Sequence, residues 1–403
     1  LTQALLWPEI DDLKQLDTQL HIQSSGPKLR LAPERRVQRL TSIITRPCYA
    51  SRELVSRAID VKMTARAFTA VDRAIEANSA DLDGFTHRRF YNVDQTNRWD
   101  WPNFQRAYPW RVWFDEREIA DVTVNPPVVY TGSGGHSTPV LIAASDIFWG
   151  PWNYSPPFTF LELDRSSNAA FGYSATPQRD IAITATFGYA LNLGPAGALG
   201  AAVSSTTVTT IQVTNSFSPG VGDVVTIDSE RMLVTDRAMV TTGQTQQGSG
   251  CSTVSMADNA LAVTDGTKFS PDEIVLLDTE RMLVLDVAGN TLTVERAFDG
   301  TVLAVHSGAT IYSPRLLTVT RGDFGTVAAT HLIAAPVQIN IPPSEVRDYV
   351  VAASLVQVLA EIGGYADVQG SGSSAMRNVG RNIAQLQQDV IAHHGRKARS
   401  RVV

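Results

Sequence analysis

The chain has 403 residues, 43% hydrophobic and 18% charged, with a formal net charge of −6 and a sequence pI of about 5.7. That is ample apolar material for two or three domains, and the acidic balance argues against a broad phosphate-gripping face while leaving room for local basic patches. Two distant cysteines, Cys48 and Cys251, give neither a disulfide framework nor a zinc motif and suit a reducing compartment, and no apolar run is long enough for a membrane-spanning helix.

The opening LTQALLWPEIDDLKQL lacks the basic start and apolar core of a signal peptide and reads as a short amphipathic helix. Residues 1–50 as a whole read as an extended arm, with five arginines between Arg30 and Arg46. Ser51 caps a helix expected to run to about Val61, with Glu53 in its first turn. A second helix is expected from about Ala65 to Phe85, because Phe68, Val71, Ile75, Leu82 and Phe85 recur at helical spacing. It runs into a basic, aromatic cluster, His87-Arg88-Arg89-Phe90-Tyr91. Positive charge is favourable there, at a helix C-terminus.

Residues 92–190 change character. Six of the seven tryptophans fall between Trp99 and Trp152, and alternating runs at Trp110–Phe114, Phe158–Leu163 and Ile181–Phe187 read as strands. Such a tryptophan cluster stacks sugars or bases in some proteins, but more often forms a core or a subunit interface.

LNLGPAGALGAAVSS (191–205) reads as a small-residue linker, and beyond it the chain repeats itself. Residues 210–236 match 260–286 around Phe-Ser-Pro and Asp-x-Glu-Arg-Met-Leu-Val, and residues 292–312 match 317–337. The order front, front, back, back fits either one unit nested inside another or two units that exchange strands. Alternating apolar residues and Gly-Asp, Gly-Asn and Asp-Gly pairs predict short antiparallel strands. Glu230 and Glu280 read as structural acids that pair with arginine or bind backbone in a turn. His306 and His331 recur at one repeat position, each without a second ligand at metal spacing. Pro342 and Pro343 then stop the strand, and Ser344 caps a helix whose expected apolar face is Val346, Tyr349, Val350, Ala353, Val356 and Leu359. VQGSGSSAM reads as a hinge before a last helix (375–394) and a basic tail.

No nucleophile elbow or Walker loop is present, since GSGGHS (132–137) lacks the Gly-Lys-Ser/Thr and does not open a helix. Arg321-Gly322-Asp323 resembles an adhesion triplet, but its repeat partner is Arg296-Ala297-Phe298, which favours chance. No catalytic, cofactor or metal site is therefore expected, and the chain reads as a non-enzyme.

Four segments carry a resemblance. YASRELVSRAIDVKMTARAFTAVDRAIEANSADLDGFTHRRFY (49–91), Trp99-Asp100-Trp101-Pro102, ITATFGYA (183–190) and Pro342-Pro343-Ser344-Glu345-Val346-Arg347 occur in this order. Together they resemble the head-to-tail adaptor, or connector, proteins of tailed double-stranded DNA bacteriophages. The family passes almost directly from the Gly-Tyr strand to the Pro-Pro helix, whereas here some 135 residues intervene. The resemblance implies an α+β fold: a helical adaptor core with an aromatic-rich β region (51–199 and 338–372), an inserted pair of small antiparallel β-modules (200–337), and a C-terminal helix with basic tail (373–403). Tyr189 and Ile341 should then lie close together. It also implies a structural virion protein of the neck, assembled in the host cytoplasm. Its partners would be further copies in a twelve-fold ring, the portal, a stopper or tail-completion protein, and genomic DNA passing through without sequence recognition. Candidate interface residues are Arg88, Arg89, Trp99, Trp101, Arg396, Lys397, Arg399 and Arg401. The competing expectations are a glycan- or surface-binding virion protein and an unrecognised virion hydrolase.

Overall fold

The computed structural model describes residues 44–58, 65–101, 109–114, 117–134, 138–153, 156–172, 176–248, 250–362 and 373–396. The fold is α+β, with helices packed on antiparallel sheets that carry clusters of aromatic side chains. The helices are α1 (Arg52–Ala58), α2 (Ala65–Thr86), α3 (Ser344–Ile362) and α4 (Ser373–His394). In the aromatic region the strands are β1 (Val93–Trp99), β2 (Arg111–Trp113), β3 (Val128–Thr131), β4 (Val140–Ile142), β5 (Ile147–Gly150), β6 (Phe160–Leu163) and β7 (Ile181–Phe187). The remainder are β8 (Leu193–Ala198), β9 (Thr210–Gln212), β10 (Val224–Ile227), β11 (Glu230–Thr245), β12 (Ala260–Ala262), β13 (Ile274–Leu277), β14 (Glu280–Ala288), β15 (Thr291–Glu295), β16 (Thr310–Asp323) and β17 (Pro336–Asn340).

α2 forms where the helical spacing predicts it. Val71, Ala74, Ile75 and Leu82 are fully buried, and Phe85 meets Tyr349 of α3 edge to face at 5.4 Å. The helix ends one residue beyond Phe85, where the Thr86 hydroxyl donates back to the Leu82 carbonyl at 2.7 Å. His87 follows with φ 53°, the left-handed conformation that closes many helices. The Ser51 hydroxyl caps α1 by accepting from the Leu54 amide at 3.4 Å. The expected end at Val61 lies outside the described residues.

On α3 the buried face differs from the expected one. Val346, Tyr349, Val350, Ser354 and Val358 are buried, whereas Leu359 is exposed. A small side chain at 354 lets α2 approach, and the Ser354 hydroxyl accepts from Asn78 at 3.2 Å. The stripe therefore follows a spacing of four rather than drifting to 359. Residues 373–376 of the expected hinge are the first turn of α4, and its earlier residues lie outside those described. The first 43 residues of the expected arm also lie outside, but Ile44, Cys48, Tyr49 and Ala50 are buried against the helices.

Sheet one has the order β1-β7-β3-β4, and β2-β6-β5 form a second. Ile119 bridges to both Phe158 and Phe187 and joins the two over one core of Val112, Phe114, Leu161, Ile181 and Ile183. The ten-stranded sheet holds both repeats. Ile227 pairs with Glu230 across β10–β11 as Leu277 pairs with Glu280 across β13–β14. β9 lies on β16 just as β12 lies on β15. The repeat is thus nested: strands β12 to β15 and the start of β16 form one unit, carried on the long β11–β16 ribbon of the other. The inner unit has its own core around Leu261, Val275, Met282 and Ile311, whereas Val225, Met232 and Leu317 of the outer unit share the core of the helices.

The expected linker contains a strand instead. Leu193 to Ala198 pair with β17; Gly194 leaves room for the Ile341 side chain, and Gly197, at φ +91°, turns the chain past Thr214. The Ile341 amide donates to the Asn192 carbonyl at 2.9 Å, so the intervening segment leaves and returns at neighbouring points, three residues past Tyr189.

Candidate functional site

The basic, aromatic corner gathers chain ends from across the fold. Phe90 packs against Tyr49 at 5.5 Å, Tyr189 at 5.0 Å and His394 at 6.1 Å. Its amide donates to the Tyr49 hydroxyl at 3.1 Å, and its carbonyl accepts from Asn340 at 2.8 Å. The Tyr49 hydroxyl donates in turn to Asp83, which also pairs with Arg46. Burial raises both the Tyr49 phenol and the Asp83 carboxyl, although the Tyr49 and Arg46 donors partly offset the latter. The C-termini of α2 and α4 satisfy each other's carbonyls: the Arg396 amide donates to Thr86 at 3.0 Å and Arg88 to His394 at 2.7 Å. Burial lowers the His394 imidazole, whose Nδ1 lies 3.0 Å from the Tyr189 hydroxyl.

Three of the eight candidate interface residues meet here. Arg88 forks onto the Glu118 carboxylate at 2.9 and 3.0 Å and lies over the Tyr189 ring. Arg89 is exposed, with its guanidinium 5.9 Å from the Tyr91 centroid, and Arg396 Nε lies 3.8 Å from Glu118. Together with Arg46, Asp83, His87 and Arg117 they line a cleft of about 610 Å³. Trp99 and Trp101 lie elsewhere, half-buried in the aromatic core against Phe114 and Phe171. Lys397, Arg399 and Arg401 lie outside the described residues. Sequence reasoning missed Arg46, Asp83, Arg117 and Glu118 as cleft residues. Nothing in their local pattern marks them, since they reach the corner only through long-range packing.

The repeats hold a second polar constellation. Glu230 accepts from Arg321 Nε at 2.7 Å and its Nη2 at 2.8 Å, from the Gly322 and Ala329 amides at 2.9 Å each, and from His331 at 2.8 Å. Asp228 takes the other ring nitrogen of His331 at 2.7 Å. Glu280, Arg296, His306 and Asp278 repeat the arrangement in the inner unit. Burial alone would raise these carboxyls, but the arginine, amide and imidazole donors outweigh it and hold Glu230 and Glu280 each at about 2. Arg321 is thus the structural arginine of its repeat, which fits the reading of the Arg321-Gly322-Asp323 triplet as chance, and each histidine is held between two carboxylates. The paired partner of each glutamate is this distant arginine, not the arginine beside it. The glutamates and histidines are fully buried and only the aspartates, Asp228 and Asp278, reach the surface, so each tetrad crosslinks its unit from the inside. Among the described residues no group of three or more His, Cys, Asp or Glu side chains is placed to hold a metal ion.

A further repeat pair diverges. Glu273 is paired with Arg315 and bound by Ser216, whereas its counterpart Asp223 accepts one amide, from Gly220 at 2.8 Å. Burial raises Asp223 to about 7, with Glu53 adding to the shift and the Gly220 amide opposing it.

Comparison of the chain with family models, with curated proteins and with solved structures found no match.

Proposed function

We propose that the chain is a head-to-tail adaptor of a tailed bacteriophage neck, a ring-forming structural protein that docks under the portal, lines the DNA path and receives a stopper or tail-completion protein. It acts by contact, without a catalytic step. The observation that carries this reading is convergence of the segments that bear the resemblance. Tyr49, Phe90 and Tyr189 pack on one another, Asn340 beside the Pro-Pro helix binds the Phe90 carbonyl, and Trp99 pairs with Ile181 along the ladder that ends at Phe187. Three of the four motifs, scattered over some 300 positions, thus meet at one corner, and the strand that leaves it carries the fourth, at Trp99, to the far end of the β1–β7 ladder, as expected of a single ancestral unit. In this reading the nested β-units are inserted modules, which enter and leave the adaptor core at Asn192 and Ile341. Imaging of virions with labelled protein tests it: density at the neck, arranged as a ring, is expected, and absence from the neck overturns it.

A glycan- or surface-binding virion protein has one observation in its favour. Phe148 and Trp152 are both exposed, with ring centroids 5.1 Å apart, and such a pair can stack a sugar. Glycan binding lost in Trp152→Ala, without neck density, would favour that reading.

A further inference from the structure

We propose that Glu273 is a latch that fixes the angle between the nested β-unit and the outer one, across a joint in the ribbon at Met239 and Pro314.

The two units keep separate apolar cores, so their relative angle is left to the β11–β16 ribbon and to the contacts at the seam. The ribbon is interrupted where it passes from one unit to the other. Tyr312 of β16 pairs with Leu276 of the inner unit, whereas Leu316 pairs with Gln212 of the outer one. Between them the register slips: Ala238 faces Leu316 and Val240 faces Ser313, which leaves Met239 opposite both Pro314 and Arg315. Such a bulge bends its strand, and Pro314 has no amide to give to the ladder. A second slip follows between Thr241 and Gln244, around Gly243 at φ +73°. Two strands broken in this way make a weak spacer by themselves.

A polar cluster closes the joint. Glu273, just before β13, is fully buried. The Ser216 amide and hydroxyl of the outer unit donate to it at 2.6 and 3.0 Å, Arg315 Nε and Nη2 of the ribbon at 3.1 and 2.7 Å, and the Ser270 amide of its own unit at 3.1 Å. Ser313 Oγ lies 2.8 Å from Ser216 Oγ, and Arg237 binds the Ser216 and Pro314 carbonyls at 2.6 and 2.8 Å. One carboxylate thus ties together the nested unit, the outer unit and the joint. Two further contacts cross nearby, Asn215 to Ser270 at 3.4 Å and Arg57 of α1 to the Asp272 carbonyl at 2.6 Å.

The sister repeat closes without this arrangement. Asp223 stands at the same repeat position in the outer unit and accepts one amide, from Gly220 of its own loop. Glu273 instead takes most of its donors from outside its unit, so its contacts serve the junction. A carboxylate bound by the Arg315 fork and by Ser216 is satisfied at one angle, and rotation of the nested unit would leave a buried carboxylate and a buried guanidinium unpaired. Latched, the two units form one rigid arm. Unlatched, the joint is free to bend.

Double electron–electron resonance on the full chain tests the latch, with nitroxides at Asp286→Cys of the nested unit and Thr320→Cys of the outer one. Both positions are exposed, and the native Cys48 and Cys251 are buried. The chain with Glu273 intact should give one narrow distance, and Glu273→Gln should broaden it about twofold or more. That change strands the Arg315 charge, so a second variant, Glu273→Gln with Arg315→Met, removes both charges and should broaden the distribution as much. Hydrogen exchange of β12 to β15 should stay slow in the second variant, because other side chains form the core of the nested unit. A broad distribution with Glu273 intact, or an unchanged width in either variant, would overturn the proposal. So would fast exchange throughout β12 to β15 in the second variant, which would make Glu273 part of its own unit's closure rather than a latch between units.

Discussion

Arg321 grips Glu230 with both arms of its guanidinium across 91 positions of sequence, and Arg296 grips Glu280 in the same way across 16. One local geometry is thus built twice, once from neighbouring segments and once across the whole nested unit. The tetrad defines where each unit closes, because its glutamate comes from the front half and its arginine and histidine from the back half.

Breaking one tetrad should loosen one unit. Glu280→Gln leaves Arg296 buried and uncompensated, which typically costs about 3–5 kcal/mol. All seven tryptophans lie before residue 153, so their fluorescence is blind to this site. Hydrogen exchange should show faster exchange of strands β12 to β15, while α2 and α3 keep their protection.

The two glutamates also set an acid limit. Their folded carboxyls stand at about 2, below the ordinary value near 4.5, so the unfolded chain binds protons first as pH falls. Their contribution is complete above about pH 4.5 and disappears as pH drops toward 2. Urea midpoints should fall steeply across that window, and less steeply in a Glu230→Gln, Glu280→Gln double variant.

Asp223 has the opposite sign. Its folded carboxyl stands at about 7 against 3.8, so the folded chain holds a proton that the unfolded chain releases. Stability therefore falls as pH rises from about 4 to 7 and levels off above. Asp223→Asn keeps an acceptor for the Gly220 amide and removes the charge. It should gain on the order of 2 kcal/mol at pH 8 and little at pH 4, measured by urea unfolding.

Gly325 has φ +80°, and a methyl group there would lie 1.7 Å from the Asp94 carbonyl oxygen. The neighbouring Phe324 carbonyl accepts from the Asp94 amide at 2.9 Å, which fastens the outer unit to β1. Gly325→Ala should cost about 2 kcal/mol or more, because backbone rather than a yielding side chain is in the way. Thermal unfolding followed by tryptophan fluorescence would detect it.

The nested unit should be removable. Val240 and Ser313 face each other across the ribbon, so replacing residues 241–312 with Asn-Gly makes a two-residue hairpin there. The shortened chain should fold with its tryptophan spectrum intact and lose only a little stability, from contacts such as Arg57 to the Asp272 carbonyl and Ser216 to Glu273. Loss of the folded spectrum would show that the inner unit supports the rest.

Features that depend on local spacing and on self-comparison were legible in the order of residues alone. The period of Val71, Ile75 and Leu82 makes α2, the prolines before Ser344 start α3, and the matched kernels announce two copies of one β-unit. A helix or a strand buries a stripe set by its own geometry, so these patterns are legible without a partner. Partner choice was decided only by the tertiary structure. Nesting rather than strand exchange, Arg321 rather than Arg231 as the mate of Glu230, and Ser354 and Val358 rather than Leu359 on the buried face of α3 all depend on what arrives from elsewhere. The cleft has the same origin: Arg46, Arg88, Arg117 and Arg396 lie far apart in sequence and become one positive surface only when α2, β7 and α4 end at the same corner. A pair buried in a folded chain is chosen by packing and desolvation over the whole core, and no local window of sequence contains that information.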